Sequence, residues 1–483
     1  MNLGQVLLAA AERAPDAEAV VDADRRLTYR DLLDEAARAA GGLASLGVKP
    51  RDRVAAAVRN RVETVVAYWA CQWLGACFVP VNWRLKPEEI RYCAADAEAA
   101  AFFAEAHLVE DTGARPWTDL VPGDPAAGPP DVADGEPSLM LYTSGTTGRP
   151  KGVPRSQRAE WAAALAHVIQ CRYGPGERTL GVMPLYHTMA VRSLLAMHAV
   201  AGCFVIRPEF RPAEAVDVIA AERIGALYLA PTLYHDLVDV LDAGRRRLPV
   251  PRLAYAGAPM SPTLVERCAA AFEPEVFVNH YGSTEIYTFS VHGDQRAKPG
   301  CAGRPGVHGR LRLVPLDGGA AAEGNDDGVG EILAALDSDE AFGGYWHRPD
   351  ADARALTTDG WYRTGDLGRL DADGDLWVVG RADDMVISGG ENIHPTEVED
   401  VLVAHPAVVE AAVIGTADER LGQRVTAFVV TRQPLDAAVL DEWCRRSALA
   451  DFKRPRRYRF VEALPKSPSG KLLRRLLRED PAP

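Results

Sequence analysis

Residues 142–152, YTSGTTGRPKG, constrain this chain more than any other stretch, with three glycines, four hydroxyl side chains and a lysine in eleven positions. Glycines let the backbone turn tightly and bring its N–H groups close to an anion. Thr143, Ser144, Thr146 and Thr147 add hydroxyl donors around Gly145 and Gly148, and Lys151 adds a positive charge. Such a loop is built to cradle phosphates. It is not the P-loop of the common NTPases, which requires adjacent Gly and Lys, because Arg149-Pro150 separates Gly148 from Lys151. A solvated Gly/Ser/Thr linker has the same composition, so the rest of the chain must decide.

At about 150 residues per domain, 483 residues predict two to four units. Helical spacing of apolar residues over 3–13 and 30–46 alternates with short apolar runs such as Val54–Val58, Ala76–Val81, Leu227–Leu229, Leu253–Tyr255 and Val276–Asn279. That alternation predicts an α/β fold with layered subdomains and mostly parallel strands. Residues 122–137 (PGDPAAGPPDVADGEP) read as a surface linker just before the cradle. From about 308, turns such as LDGG and DADGD punctuate short strands and predict a small β-rich barrel ending near 378–384. The remainder alternates strands with helices and predicts a small α+β domain. The expected division is a large N-terminal domain, 1–382, which holds the cradle, and a small C-terminal domain, 383–483.

A net charge of −13 argues against a general nucleic-acid binder but leaves room for a local anion site. Eight scattered cysteines without a C-x-x-C pair read as reduced and cytoplasmic, without a metal knuckle. The N-terminal residues have no signal-peptide pattern, and the longest apolar run is too short to span a bilayer.

Four further motifs join the cradle. YGSTE (281–285) places an aromatic ring, a glycine, two hydroxyls and a carboxylate on one short loop after a strand. An exposed Glu285 near phosphates suits Mg²⁺, which prefers oxygen and one or two carboxylates; a solvated loop charge is the plainer alternative. WYRTGDLG (361–368) puts Asp366 on a turn after a strand, where it can accept from both hydroxyls of a ribose or simply close an Asx turn. GRADDMVISGGENIHP (380–395) sets Arg381 before a domain junction and a Gly-Gly turn, a pattern that also serves as a hinge. PKSPSGKLLRR (465–475) carries Lys471 on a loop able to deliver a point charge to a phosphate and then leave; a solvated tail lysine looks the same.

Together, in this order, these motifs resemble the adenylate-forming superfamily of acyl-CoA synthetases, peptide-synthetase adenylation domains and luciferases, and in particular aryl-CoA ligases of the 4-chlorobenzoate:CoA ligase type. MPLYH, EFRP, GWYR, DDMVISGGENIHP and ADFKRPRRY carry the narrower likeness. The resemblance implies ATP, Mg²⁺ and CoA as cofactors, and adenylation of a carboxylic acid followed by thioester formation. By the same likeness the 143–151 loop holds the β- and γ-phosphates, Thr147 and Glu285 take the metal, and Thr284 donates to the α-phosphate. Asp366 and Arg381 take the ribose. Gly257, Ala258, Pro259, Tyr281, Gly282 and Ser283 line the adenine side, Asn392 joins the nucleotide set, and Lys471 touches both the carboxylate and the α-phosphate. Asp383 matches the hinge about which the small domain rotates between the two steps. Arg84, Gly389, Gly390, Phe452, Lys453, Arg454 and Arg456 match the CoA positions, where Lys and Arg pair with phosphates.

His187 matches the residue that gates the acyl pocket, which is lined by Ala164, Thr188, Met189, Tyr228, Ala256, His280, Gly282, Tyr287 and Thr288. Relative to the chlorobenzoate type, Ala164 replaces a phenylalanine, and His280 and Tyr287 replace an isoleucine and a methionine. A wider pocket with polar tips predicts a bulky cyclic acid: aryl, alicyclic or polycyclic. Leu421 stands where the relatives stack a tryptophan on the CoA adenine, so delivery to a carrier-protein thiol is an open alternative. A non-catalytic nucleotide-binding relative is another, opposed by Lys471, Glu285, Asp366 and Arg381. The resemblance also allows a homodimer; no nucleic acid or membrane partner is expected.

Overall fold

The computed structural model describes residues 2–23, 25–120, 122–143, 149–315, 328–389, 391–466 and 472–478. Among them the strands form four sheets. The largest has six parallel strands side by side: Val276–Tyr281, Arg252–Ala256, Ala226–Leu229, Arg178–Gly181, Cys203–Ile206 and Glu18–Val21. Antiparallel strands extend it at both edges. The second large sheet is parallel through Arg115–Pro116, Ala101–Ala104, Arg53–Ala57, Cys77–Pro80 and Pro137–Thr143, then turns back in an antiparallel pair with Lys151–Ser156. The α/β class expected from the alternating pattern is therefore the observed one.

One continuous apolar core joins the two sheets. Phe78 and Phe103 enter it from one side and Phe204, Leu227 and Phe277 from the other. Helix Val62–Leu74 lies in this core, is buried on almost every side, and stops at Gly75, whose φ of 72° suits glycine. Helix Tyr29–Ser45 beside it starts on a capping box, Thr28 with Asp31. Within the core Trp69 Nε1 donates to His198 Nδ1 (2.9 Å), and the other His198 nitrogen, Nε2, lies 3.1 Å from Ala19 O. An imidazole that accepts at one nitrogen and donates at the other is neutral, and burial pushes its pKa down to about 4.

Strands Leu311–Pro315, Gly330–Ala335, Trp361–Leu370 and Leu376–Arg381 form an antiparallel four-stranded sheet. The chain then passes through the 3₁₀ turn Ala382–Asp384 into a five-stranded sheet built around the long hairpin Val408–Asp418 and Gly422–Thr431. Helices Pro395–Val403 and Ala437–Arg446 pack on it over a separate core that includes Val398, Leu402, Val413, Val429 and Leu440. All eight cysteines are buried and free. No helix among the described residues is long and apolar enough to cross a membrane.

Candidate active site

The glycine-rich loop is the connection of a hairpin. Thr143, last in strand Pro137–Thr143, is paired with Lys151, first in strand Lys151–Ser156. The loop's ends are thus clamped together by a β-ladder, unlike a P-loop, which runs from a strand into a helix. Ser144, Gly145, Thr146, Thr147 and Gly148 lie outside the described residues, as do Gly390, Lys471 and the side chain of Asn392.

Lys151 Nζ sits 4.0 Å from the centroid of the Tyr345 ring, and the Tyr345 hydroxyl donates to Glu285 Oε1 at 2.6 Å. Burial lowers the Lys151 pKa while the charge of Glu285 works the other way. Glu285 was expected on an exposed loop; it is only 6% exposed. The reason lies four residues beyond Lys151 on the same strand face. Arg155, itself 0% exposed, donates from Nη1 to the backbone oxygens of Glu285 (2.9 Å) and Glu340 (2.6 Å), and from Nε to Glu160 (2.9 Å). One strand therefore supplies a cation at the mouth of the loop and another that holds the Glu285 backbone from below.

Among the described residues no cation is ion-paired with Glu285, and its carboxylate accepts one side-chain hydrogen bond, from the neutral phenol of Tyr345. A buried carboxylate in that state suits a hard oxygen-seeking cation such as Mg²⁺.

The loop carrying Glu285 begins at Tyr281, the end of strand Val276–Tyr281. The Tyr281 hydroxyl donates to Asp366 Oδ2 at 2.7 Å, and Arg381 Nη1 pairs with Asp366 Oδ1 at 3.0 Å. Asp366 was expected on a turn after a strand; it lies inside the ten-residue strand Trp361–Leu370, directly across from Arg381. The turn-like TGD signature marks an irregularity instead. Gly365 takes a φ of 72°, and a Cβ there would come within 2.9 Å of Arg381 Nη2. Gly282 is fixed for a similar reason: a Cβ would collide with Tyr287 O. Ser283 and Thr284 are half-buried on the intervening loop, and Gly257, Ala258 and Pro259 follow strand Arg252–Ala256.

The acyl-pocket positions come from five neighbouring elements. Ala164 lies on helix Gln157–Cys171, His187 precedes helix Thr188–Ala199, and Tyr228, Ala256 and His280 lie on three adjacent parallel strands. The Tyr228 and His280 rings meet edge-on at 5.5 Å. Met189, Tyr287 and Thr288 are buried and Thr188 half-buried. His187 Nε2 is buried without a partner among the described residues, and burial, then the nearby Arg84 charge, push its pKa down to about 4. Burial and the charge of Arg192 hold His280 well below the usual histidine range. Both imidazoles are neutral near pH 7.

The expected CoA residues are divided. Arg84 donates to the Tyr186 hydroxyl at 2.9 Å and lies 4.2 Å over the Trp83 ring. Gly389, with a φ of 62°, donates its N–H to Leu421 O at 2.9 Å, so Leu421 backs the glycine turn. Phe452 is exposed. Lys453 is paired with Glu397 at 2.7 Å, and Arg456 donates to Asp451 O at 3.0 Å. Arg454, expected to face a phosphate, is buried and held by Asp441 and Asp451, because two carboxylates outcompete water for a buried guanidinium. Asp383 lies on the 3₁₀ turn between the four- and five-stranded sheets.

Sequence reasoning missed Tyr345, Arg155 and Arg192. Tyr345 reaches Glu285 across 60 positions, and no local pattern announces it. The other two had a signal: single arginines inside apolar segments, GVPRS and MAVRSLL, that prove fully buried.

The fold and this geometry define a two-part, nucleotide-binding α/β architecture. Residues 7–346 match the AMP-binding enzyme family and residues 397–471 the AMP-binding enzyme C-terminal domain. The chain belongs to the AMP-binding enzymes. It is 35% identical over 495 residues to 4-chlorobenzoate–CoA ligase of Arthrobacter sp, covering 97% of this chain and 93% of the relative. It is 33% identical over 479 residues to 2-succinylbenzoate–CoA ligase of Bacillus licheniformis, covering 97% and 98%. Among solved structures it is similar to O-succinylbenzoate coenzyme A synthetase from Bacillus subtilis in complex with AMP, at a TM-score of 0.88 and 27% identity over 98% of each chain. The same synthetase in complex with ATP and magnesium ion gives a TM-score of 0.87 at 28% identity, over 98% of this chain and 99% of that one.

Proposed function

We propose that this chain is an ATP-dependent acid–thiol ligase that adenylates a bulky cyclic carboxylic acid and transfers the acyl group to CoA. One arrangement supports the reading above all. The segment Tyr281–Glu285 joins the Tyr281–Asp366–Arg381 cluster at one end to the Glu285–Tyr345–Lys151 group at the other. A ribose at Asp366 and phosphates at Lys151 then belong to one nucleotide, with the adenine against Gly257, Ala258 and Pro259.

In the first step an oxygen of the substrate carboxylate attacks the α-phosphorus of ATP, the bond to the bridging oxygen breaks, and pyrophosphate leaves. The chain's contribution is positioning and charge neutralisation. Thr143, the glycine-rich loop and Lys151 hold the β- and γ-phosphates, Thr284 donates to the α-phosphate, and Lys471 faces the attacking carboxylate. Glu285 and Thr147 would hold Mg²⁺, which would neutralise phosphate charge when bound. In the second step the CoA thiolate attacks the acyl carbonyl carbon and AMP departs. His187, neutral and without a fixed partner, swings to open the acyl pocket to the thiol. The unit beyond Asp383 turns about that residue between steps, carrying Lys471 away and Gly389-Gly390 inward. The reading includes a homodimer in the cytoplasm, checked by sedimentation and cell fractionation.

Carboxylate-dependent ATP–pyrophosphate exchange over benzoates, alicyclic, polycyclic and fatty acids tests the proposal, with thioester formation followed in parallel. Exchange with cyclic acids that Lys471→Ala abolishes is expected; turnover of fatty acids alone would overturn the substrate class. Leu421 and the internally paired Arg454 favour a second reading, transfer to a carrier-protein thiol. It predicts exchange without a CoA thioester.

A further inference from the structure

Helix Thr188–Ala199 buries one arginine in the run TMAVRSLLAMHA. Arg192 is 1% exposed. It lies one turn beyond Thr188 and Met189, so it shares the helix face of two acyl-pocket positions. Its Nε donates to Ala163 O, next to the pocket position Ala164, at 3.0 Å, and its Nη2 reaches Gln170 Oε1 at 3.4 Å. Its Nη1 is buried and has no acceptor among the described residues. Of the two buried carboxylates of the region, Glu160 is ion-paired with Arg155 at 2.9 Å and feels the Arg192 charge only at longer range, while Glu340 acts on Arg155; the neutral phenol of the pocket residue Tyr228 also bears on the Arg192 guanidinium.

Among the described residues, three more polar atoms in these surroundings are buried without partners: Gln170 Nε2, Thr288 Oγ1 and His280 Nδ1. Gln170 Nε2 and the Thr288 methyl lie within 3.4 Å and 2.7 Å of one point, where a Cβ on Gly306 would stand. His280 Nε2 faces the Cys171 thiol at 3.5 Å. The same sulfur lies 3.6 Å from His167 Nδ1, so its one proton serves either ring, and His280 Nδ1 is a donor in the tautomer in which the thiol turns to His280. Arg192 thus stands beside the acyl-pocket positions among buried polar atoms that have hydrogen-bonding capacity left over. A buried donor without an acceptor is costly, and a buried charge more so. His167, Cys171 and His280 could together suggest a metal, but the Arg192 charge bears on both imidazoles and opposes a cation.

We propose that Arg192, with Gln170 and Thr288, binds an acceptor oxygen carried by the acyl group at the end remote from its reacting carboxylate. This rests on the acyl-pocket reading above and narrows it to an oxygenated cyclic acid: keto, hydroxy or a second carboxylate. A bare hydrocarbon ring leaves Nη1 unpaired.

The test is equilibrium binding of three acids of one ring size to wild type and Arg192→Met: unsubstituted, keto- or hydroxy-substituted at the far end, and carboxylated there. Pyrophosphate exchange is run alongside. Wild type is expected to favour an oxygenated acid over the bare ring by about 10- to 100-fold, the usual range for a hydrogen bond to a charged group. Arg192→Met should collapse that ratio towards one. The ratio is internal to each protein, so a partly inactive preparation does not alter it. Gln170→Leu supplies a second, smaller collapse should the first variant not fold. Preference for the keto or hydroxy acid, or for the diacid, supports the subsite and identifies the oxygen. Equal binding of the bare ring by wild type, or a ratio unchanged in both variants, overturns it. Discrimination in binding with no exchange for any acid leaves the subsite standing and removes the ligase reading.

Discussion

Replacing Tyr345 by Phe removes one oxygen and nothing else. In the wild type that oxygen donates to Glu285 Oε1 at 2.6 Å while the ring beneath it carries Lys151 at 4.0 Å. The variant keeps the ring and hence the cation–π contact, worth about 0.5–2 kcal/mol. It loses a hydrogen bond to a buried charged group, about 1.5–3 kcal/mol. The carboxylate stays buried and its backbone stays pinned by Arg155, so the loss falls on carboxylate orientation. If Glu285 orients a metal, Tyr345→Phe should lower kcat/KM for ATP in pyrophosphate exchange by about 10- to 100-fold, equivalent to that bond. Part of the loss should return as the Mg²⁺ concentration is raised. Lys151→Met should cost activity with no such rescue, because on the proposed reading Lys151 meets the phosphates and not the metal. A Tyr345→Phe enzyme with unchanged kcat/KM and an unchanged Mg²⁺ dependence would refute the assignment of Glu285.

Gly365→Ala forces a side chain into a backbone with φ of 72° and to within 2.9 Å of Arg381 Nη2. Strain of about 1–3 kcal/mol should appear as a lower Tm together with a higher KM for ATP; a lower Tm with unchanged KM would separate Asp366–Arg381 from the nucleotide. His198 takes up its proton near pH 4 in the fold and near 6.5 when unfolded, so the unfolded chain binds more protons between these values. Its contribution is complete above pH 6.5 and fades as pH falls towards 4, by about 2 kcal/mol at pH 5. Urea unfolding from pH 8 to 5 should show a steeper fall for wild type than for His198→Gln, and parallel curves would count against a neutral buried His198. Leu421→Trp should lower KM for CoA by up to about tenfold, the worth of an aromatic stack, without altering pyrophosphate exchange; an unchanged KM would place Leu421 away from the CoA adenine.

What the sequence could reveal depended on how local each cause is. The YGSTE loop is legible because a turn's chemistry is written in nearby residues: Gly282 is fixed by a backbone oxygen five positions away. Helices and parallel strands were legible from apolar spacing, to within a residue or two at helix Gly4–Arg13 and strand Val276–Tyr281. Asp366 was misplaced because a glycine with positive φ inside a strand has the same letters as one in a turn. Glu285 was misjudged as exposed because its burial comes from Tyr345 and Arg155, 60 and 130 positions away. Charge inside a core is a tertiary fact, visible in sequence only as an arginine that interrupts an apolar run.

The two ends of the site consequently differ in what can change them. The end proposed for the nucleotide is assembled around sterically fixed glycines, Gly282 in a loop and Gly365 in a strand, so few substitutions there leave the geometry intact. The acyl end is assembled from side chains on helices and strands that hold their course regardless: Ala164, Arg192, Tyr228 and His280 project from elements anchored by the main core. Exchanging one of these for another side chain acts on the proposed pocket's shape and polarity, and Arg192 is the clearest instance, the one charged residue on its helix. A fold arranged this way can keep one reaction while its acid changes, and the acid is therefore to be sought in the side chains of the pocket floor rather than in the motifs that identify the family.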